Sequence, residues 1–375
     1  MKALLVVVGL VLVVVTAQWM TGIGEVIDGS VPLPLGTATP APKPPGVALR
    51  RTSPSDFQAG FAIVAYGPQP PASGEYAQLL DRLVSLDVNS LSIVFPLYTD
   101  GVRSDAVHAG PNTPSDETLA FLIRQARARG FSVMLRPILD ESVLAPDWRG
   151  DIQPRSPAAW FASYDPLILS YARLAQREGI DSLSVGTELT SMETYVSSWT
   201  GLIAQTRQVF SGQITYTFNF GATFQTALWA AVDFVSIDAY FPLDETPAAA
   251  TAAQMAVDWQ RWLAVVQGTN GPYHKSVVFT EVGLVPKTGA HLTPWNGAIG
   301  RPFDLNEQRS YYEATCSAVA PAVNGMYWWS TGPTLPGALG PSDFNPLGRP
   351  AENVVRTCYA EIEGLVKPAT GPVSR

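Results

Sequence analysis

The sequence predicts an α/β fold, a (β/α)8 TIM barrel built as a single domain, and three features lead to it. From Phe57 to about residue 345, short apolar runs alternate with stretches of helical spacing, eight times over. A barrel of that type takes about 250 residues or more, which this length suits. Two of the apolar runs end in a glutamate, Glu188 and Glu281, at the strand ends where a barrel gathers its reactive groups. A doubly wound open sheet would instead carry a Gly-rich phosphate turn after an early strand, and none is present.

The first strand is residues 60–66 (GFAIVAY), followed by a helix from about Gly74 to Leu86, where Tyr76, Leu79, Leu80, Leu83 and Leu86 keep helical spacing. Residues 89–96 (NSLSIVFP) form the second strand. Residues 112–116 (NTPSD) start an arginine-rich helix that stops at Gly130. The third strand, 131–137 (FSVMLRP), carries Arg136, Asp140 and Glu141 at its polar end. A helix across 156–178 leads to the fourth strand, Leu183 to Val185, which stops at Gly186 and delivers Glu188. A helix at 195–210 precedes the fifth strand, 214–219 (ITYTFN), and residues 229–232 approach the sixth, 234–240 (FVSIDAY). A helix across 252–266 leads to the seventh strand, 277–283 (VVFTEVG), and one across 308–320 to the eighth, 325–329 (GMYWW). No short internal repeat is visible.

Outside the barrel, Lys2 precedes thirteen apolar or glycine residues, 3–15, and Val15-Thr16-Ala17 has the small-residue spacing of a signal-peptidase site. Residues 1–20 are expected to be a signal peptide or an N-terminal membrane anchor, so the protein is expected to be secreted or held on the outer face of a membrane. Residues 21–56 are a Pro-rich linker and approach segment, and 346–375 a C-terminal segment with a partly disordered tail. In an exported chain the two cysteines, Cys316 and Cys358, are candidates for a disulfide.

A net charge of −8 argues against nucleic acid as a partner and fits a neutral ligand. Three scattered histidines, with no CxxC or HExxH, argue against a metal site, and no cofactor is expected. A monomer is expected, since no long apolar helix face is left over.

A buried strand rarely tolerates an ionised side chain unless it is paired or functional. Two glutamates in matched settings, at the ends of two strands, are what glycoside hydrolysis requires: an acid/base and a partner carboxylate. Ten tryptophans exceed what a core needs, and sugars stack their C–H faces on aromatic rings. Trp148, Tyr98, Phe220, Phe241 and Trp295 are loop candidates for such stacking, whereas Trp160, Trp199, Trp259 and Trp262 sit in helical patterns and read as core. Arg136 reads either as half of a buried ion pair with Asp140 or Glu141, or as a donor to sugar hydroxyls or a catalytic carboxylate. Asp238 reads as a structural group inside the barrel, and Tyr240, two residues on, as the one that reaches the site.

The stretch from about Phe57 to Asn345 resembles the β-mannanases of glycoside hydrolase family 113. The resemblance is carried by Gly60 to Tyr66, Thr113-Pro114-Ser115, Val133 to Pro137, Val185-Gly186-Thr187-Glu188-Leu189, Ser236 to Tyr240, Phe279-Thr280-Glu281-Val282-Gly283 and Trp328-Trp329. It implies that Glu188 is the general acid/base and Glu281 the nucleophile of a retaining hydrolase. The substrate-binding candidates are Tyr240, Trp329, Asn219, Arg136, Tyr66 and Trp328, and the resemblance favours Trp329 over Trp328 in the site. Thr187 stands where many relatives in the wider clan have an asparagine that contacts the sugar 2-hydroxyl, and Asn219 is a candidate substitute. The expected function is exported, double-displacement cleavage of a β-linked hexose polysaccharide, foremost endo-β-1,4-mannan. The rivals are hydrolysis of another β-glycan and a non-catalytic glycan-binding envelope protein on the same barrel.

Overall fold

The computed structural model describes residues 57–221, 223–244 and 250–366. The expected leader or anchor (1–20), the Pro-rich segment (21–56) and the tail from 367 on lie outside them. Eight parallel strands close into a barrel: β1 (Gln58–Val64), β2 (Ser90–Thr99), β3 (Ser132–Leu139), β4 (Ser182–Thr187), β5 (Gln213–Asn219), β6 (Val235–Asp238), β7 (Val277–Val282) and β8 (Gly325–Thr331). Each pairs with the next, and β8 returns to β1. Eight helices wrap it: α1 (Ser73–Val84), α2 (Asp116–Ala128), α3 (Pro157–Glu178), α4 (Val196–Val209), α5 (Thr226–Ala231), α6 (Ala252–Asn270), α7 (Leu305–Val319) and α8 (Pro350–Val366). The expected elements are all present, with shifted ends. Helix α7 starts at Leu305 because the Asp304 carboxylate caps it, accepting from the amides of Asn306 and Glu307. The expected domain limit at residue 345 falls short of α8, whose buried Ala351, Val355 and Tyr359 make it the eighth helix of the barrel.

Alternation along the strands sorts the side chains. The outward set, including Phe61, Ile63, Leu91, Ile93, Leu135, Leu183, Val185, Ile237 and Phe279, joins the helices in one continuous core. The inward set divides by height. Met134, Phe234, Val278 and Tyr327 form a buried apolar plug, which β1 admits only because residue 60 is glycine: a Cβ there would lie 2.3 Å from the Tyr327 ring. Other inward positions are small hydroxyls, paired as Ser184 with Thr217 (3.1 Å) and Thr215 with Ser236 (2.8 Å). Where β3, β6 and β7 end, the interior becomes ionic.

The end of the described chain ties the barrel shut. Helix α8 sends the Tyr359 hydroxyl to the carbonyls of Gly60 on β1 (2.8 Å) and Met326 on β8 (2.9 Å), across the seam between first and last strands. Glu352 accepts from Arg82 of α1 at 2.5 Å. The two cysteines are paired, Cys316 of α7 with Cys358 of α8, with Cα atoms 5.9 Å apart.

The bond closes a loop across a separation of 42 residues, for which chain entropy gives about 2–4 kcal/mol of stabilisation. A Cys316→Ser, Cys358→Ser variant should therefore lose that much unfolding free energy, read as a lower urea midpoint. An unchanged midpoint would show that the bond restrains nothing that the packing of α8 does not already hold.

Candidate active site

Both glutamates are placed by the same local device. On β4, the register with β5 runs Ser184 to Thr215 and then Thr187 to Thr217, so one extra residue is inserted before Glu188. On β7, it runs Ile237 to Phe279 and then Asp238 to Glu281, which makes Thr280 the extra residue. A bulge re-aims the residues that follow it, and here each one immediately precedes a carboxylate. Gly186 is part of the first bulge, because a Cβ there would sit 2.7 Å from Tyr216 and 3.0 Å from Trp199. Glu188 itself has φ of +54°, a left-handed backbone that non-glycine residues adopt only when their surroundings enforce it. Strand β5 does so from both sides: the Glu188 amide donates to Thr217 O (2.8 Å), and the Leu189 amide to the Tyr216 hydroxyl (3.1 Å).

Glu281 is held on both oxygens. Arg136 donates to Oε1, and the Tyr240 hydroxyl donates to Oε2 at 2.8 Å. Arg136 is fully buried and also forms a fork on Asp238, with Nη1 to Oδ1 and Nη2 to Oδ2 each 3.1 Å. Thr280 Oγ1 donates to Asp238 Oδ1 at 2.9 Å. Burial pushes the Asp238 carboxyl up towards about 7, against the Arg136 guanidinium, which pulls it down. The buried partner of Arg136 is thus Asp238, with Glu281, and neither Asp140 nor Glu141. Those two look the other way: Asp140 accepts from the Tyr66 hydroxyl (2.8 Å), and Glu141 pairs with Arg149 (3.0 Å). The reason is geometric, since Arg136 points into the barrel whereas residues 140 and 141 lie beyond the strand end.

Arg149, which the sequence reading passed over, is the partner of Glu188. Its Nη1 donates to Glu188 Oε2 at 2.7 Å, and its Nε to Leu139 O at 2.9 Å. It lies in the loop between β3 and α3, next to a tryptophan whose ring covers Gly150. A single arginine in a loop resembles solvated surface, and only the Trp-Arg-Gly run hinted otherwise. Glu193, also unsingled by sequence, is buried in the turn after β4. Burial raises its pKa to about 7, the Tyr216 hydroxyl bond opposes this, and the nearby Glu188 adds to it.

Of the other expected residues, Trp329 lies half-buried at the mouth, its ring centroid 5.7 Å from Arg136 Cζ. The ring packs on Ala62, Val94 and Ile138. Asn219 ends β5, on the inward face with Thr215 and Thr217, and is half-buried. Tyr66 is the most open of the group, 43% exposed, with its hydroxyl anchored on Asp140. Trp328 does not reach the site. Adjacent strand residues face opposite ways, and its indole stacks on Tyr312 at 4.1 Å under the helices. Of the loop aromatics, Phe241 and Tyr98 are buried, whereas the half-buried Phe220 and Trp295 stack on each other at 5.1 Å. Trp160, Trp199 and Trp259 are fully buried, as their helical spacing predicted, whereas Trp262, read the same way, is half-buried and packs against the edge of the core.

Chemically, the arrangement offers two unlike carboxylates in one mouth. Glu281 has both oxygens held, one by a buried guanidinium and one by a phenol hydroxyl. Glu188 has a single donor on Oε2, and its Oε1 makes no hydrogen bond to the described residues. Among the described residues no group of three or more His, Cys, Asp or Glu could hold a metal ion.

Comparison with known proteins agrees with this chemistry. Residues 71–336 match the sequence profile of Glycoside Hydrolase Family 113. The fold is similar to that of the family 113 β-mannanase AaManA from Alicyclobacillus acidocaldarius, solved with ManMIm (TM-score 0.71, 27% identity, covering 82% of this chain and 98% of that one). It is similar to a second family 113 structure, a β-1,4-mannanase (TM-score 0.72, 24% identity, 81% and 99%). More distantly, it shares its fold with the endo-β-1,4-mannanase from Thermotoga petrophila (TM-score 0.54, 11% identity, 84% and 78%). No curated protein sequence matches.

Two outcomes follow from this geometry. Tyr240→Phe removes one charge-assisted hydrogen bond to Glu281, worth about 1.5–3 kcal/mol, so kcat/KM for glycoside cleavage should fall roughly tenfold to a hundredfold. A change under about twofold would mean that Tyr240 does not support Glu281. Glu193 binds its proton more tightly folded than unfolded, so from pH 4.5 to about 7 the unfolded chain holds fewer protons and stability declines as pH rises. Across that window the loss is at most about 3 kcal/mol. Urea denaturation at pH 4.5 and 7.5 should show this decline, and Glu193→Gln should flatten it; an equal slope in both proteins would remove Glu193 as its source.

Proposed function

The chain belongs to Glycoside Hydrolase Family 113, and from that premise we propose that this glycoside hydrolase is a retaining, endo-acting β-1,4-mannanase of the cell exterior. The observation that carries the reading is the unequal setting of the two mouth carboxylates. Glu281, with both oxygens held by Arg136 and Tyr240, is suited to remain ionised and attack the anomeric carbon. Glu188, with one oxygen left without a bond to the described residues, is suited to carry the proton that the leaving oxygen takes up.

In this mechanism the Glu281 carboxylate forms a bond to the anomeric carbon as the glycosidic bond breaks. Glu188 gives its proton to the departing sugar oxygen. In the second half, Glu188 as carboxylate accepts a proton from water, the water oxygen replaces Glu281 at the anomeric carbon, and configuration is retained overall. Trp329 and the exposed Tyr66 supply stacking surface for the sugar, Asn219 a polar contact at the mouth, and the Phe220–Trp295 pair a further wall along the cleft.

Mannan as substrate is supported by the mannanases among the structural neighbours; a barrel alone hosts many specificities. Export is supported by Lys2, the apolar run after it and Val15-Thr16-Ala17. The Cys316–Cys358 disulfide, a bond that persists in oxidising compartments, points the same way. The enzyme acts as a monomer, with Pro-rich residues 21–56 as a tether between leader and barrel.

The test is reducing-sugar release from linear mannan, glucomannan, β-glucan and xylan, with product anomers followed by NMR. Activity on mannan, with the β-anomer formed first and loss in both Glu188→Ala and Glu281→Ala, is expected. Activity on another glycan alone would replace the substrate and keep the chemistry. An α-anomer first would overturn retention, and saturable binding without release would favour a glycan-binding protein.

A further inference from the structure

Glu188 is the catalytic carboxyl that has to lose and regain a proton during turnover, yet it sits 2.7 Å from a guanidinium nitrogen. A lone arginine at that distance favours the carboxylate and would rob Glu188 of the proton it donates. The same nitrogen, Arg149 Nη1, is also 3.0 Å from Glu141 Oε1. Arg149 is only 13% exposed, and the side chains of Glu141 and Glu188 are 11% and 10% exposed. With all three ionised, this poorly solvated cluster carries one net negative charge, and one proton neutralises it.

We propose that Glu141 is a positioning residue that competes for Arg149, so that Glu141 and Glu188 hold one proton between them and Glu188 remains protonated when substrate binds. The inference rests on the reading of Glu188 as acid/base. When Glu188 passes its proton to the leaving oxygen, the cluster goes from neutral to one negative charge, shared across Arg149. When Glu188 takes a proton from the attacking water, the cluster returns to neutral. Arg149 stays seated in both states, because Glu141 and the Leu139 carbonyl hold it when Glu188 is uncharged.

The surroundings favour the shared proton. Asp140 faces Glu141 from the end of β3, and Tyr66 faces Arg149 from beyond β1. Glu193 faces Glu188 from the turn after β4. Asp238 and Tyr240 face it from β6 and the residues after that strand, and Asp238 also faces Arg149. The groups in that set are all acidic, and the second cation nearby, Arg136, is taken up by Asp238 and Glu281. Burial, and then the carboxylates of Glu188 and Asp140, raise the Glu141 pKa against Arg149, which lowers it. For Arg149, burial works against the charge, and Glu141 and Glu188 overcome it, so that the guanidinium pKa is raised.

The pH profile of kcat/KM on linear β-1,4-mannan, measured with the full-length chain, tests this. The basic limb reports loss of the last proton from the pair. Glu141→Gln leaves Arg149 to Glu188 alone, so the limb should move to lower pH by about one unit or more, a tenfold loss of rate above it. Glu141→Asp should restore much of the wild-type limb, and Arg149→Gln should move it to higher pH. A structural role for Glu141 would lower activity at all pH values without moving the limb. An unmoved limb in Glu141→Gln, with Glu188→Ala still inactive and rescued by azide, would overturn the sharing and spare the acid/base. Wild-type activity in Glu188→Ala would overturn both. Should Glu141→Gln fail to fold, Glu141→Ala takes its place with the same reading: a limb moved down supports the sharing, and an unmoved limb overturns it.

Discussion

A guanidinium enclosed within a barrel is the constraint from which the rest of this site follows. Arg136 has no solvent exposure, and an unpaired buried charge would cost several kcal/mol. It is tolerated because Asp238 meets its fork with two oxygens and Glu281 adds a third. Those partners come from β6 and β7, on the far side of the barrel interior from β3. Their side chains reach inward only if both strands are in the right register, and the bulge at Thr280 supplies it on β7. The small hydroxyls lower in the barrel leave room for these groups, and the apolar plug beneath keeps water from the underside. The setting of Glu281 and the packing of the barrel interior are thus the same problem, solved once.

The Glu188 side repeats this plan with looser terms. Each glutamate shares an arginine with a second carboxyl, Asp238 in one case and Glu141 in the other. Arg136 spends both terminal nitrogens on Asp238, and Tyr240 completes Glu281, so the anion is locked. Arg149 divides one nitrogen between two carboxylates from a loop outside the barrel wall, so neither is locked. A strained backbone at Glu188, fixed from β5, holds the side chain in place. Enclosure thus differs between the two arginines, complete at Arg136 and partial at Arg149.

Most of the barrel and the core of the site were legible in the sequence, because both rest on short-range signals. Strand ends marked by Glu188 and Glu281, the inward spacing of Asp238 and Tyr240, and the helical spacing of Trp160, Trp199 and Trp259 are all periodic facts. What escaped reading depends on contacts distant in sequence. Arg136 meets Asp238 across 102 residues, so its nearer neighbours Asp140 and Glu141 looked the better partners. Arg149 lies in a loop, where periodicity says nothing, and its role appears only once that loop folds over the barrel mouth. The pair Trp328-Trp329 offered two equal aromatics, and strand alternation said one must face away without saying which. The eighth helix was missed because its amphipathic stretch lies beyond the last strand, where a tail was the simpler reading.

The seam sealed by Tyr359 has a consequence for how the molecule comes into being. Strand β1 lies within the first residues of the domain, and the groups that cover its open side, β8 and α8, lie near its end. A ribosome adding about 5–20 residues per second therefore needs on the order of 15–60 s to supply the remaining chain. Throughout that interval β1 can pair with β2 on one side only, and its other edge is a row of unpaired amides and carbonyls, open to association with neighbouring chains. Contacts of such long sequence separation also form slowly. Ring closure is thus a late event, and a chain truncated before Pro350 loses the α8 hydroxyl that spans the seam even if all eight strands are present.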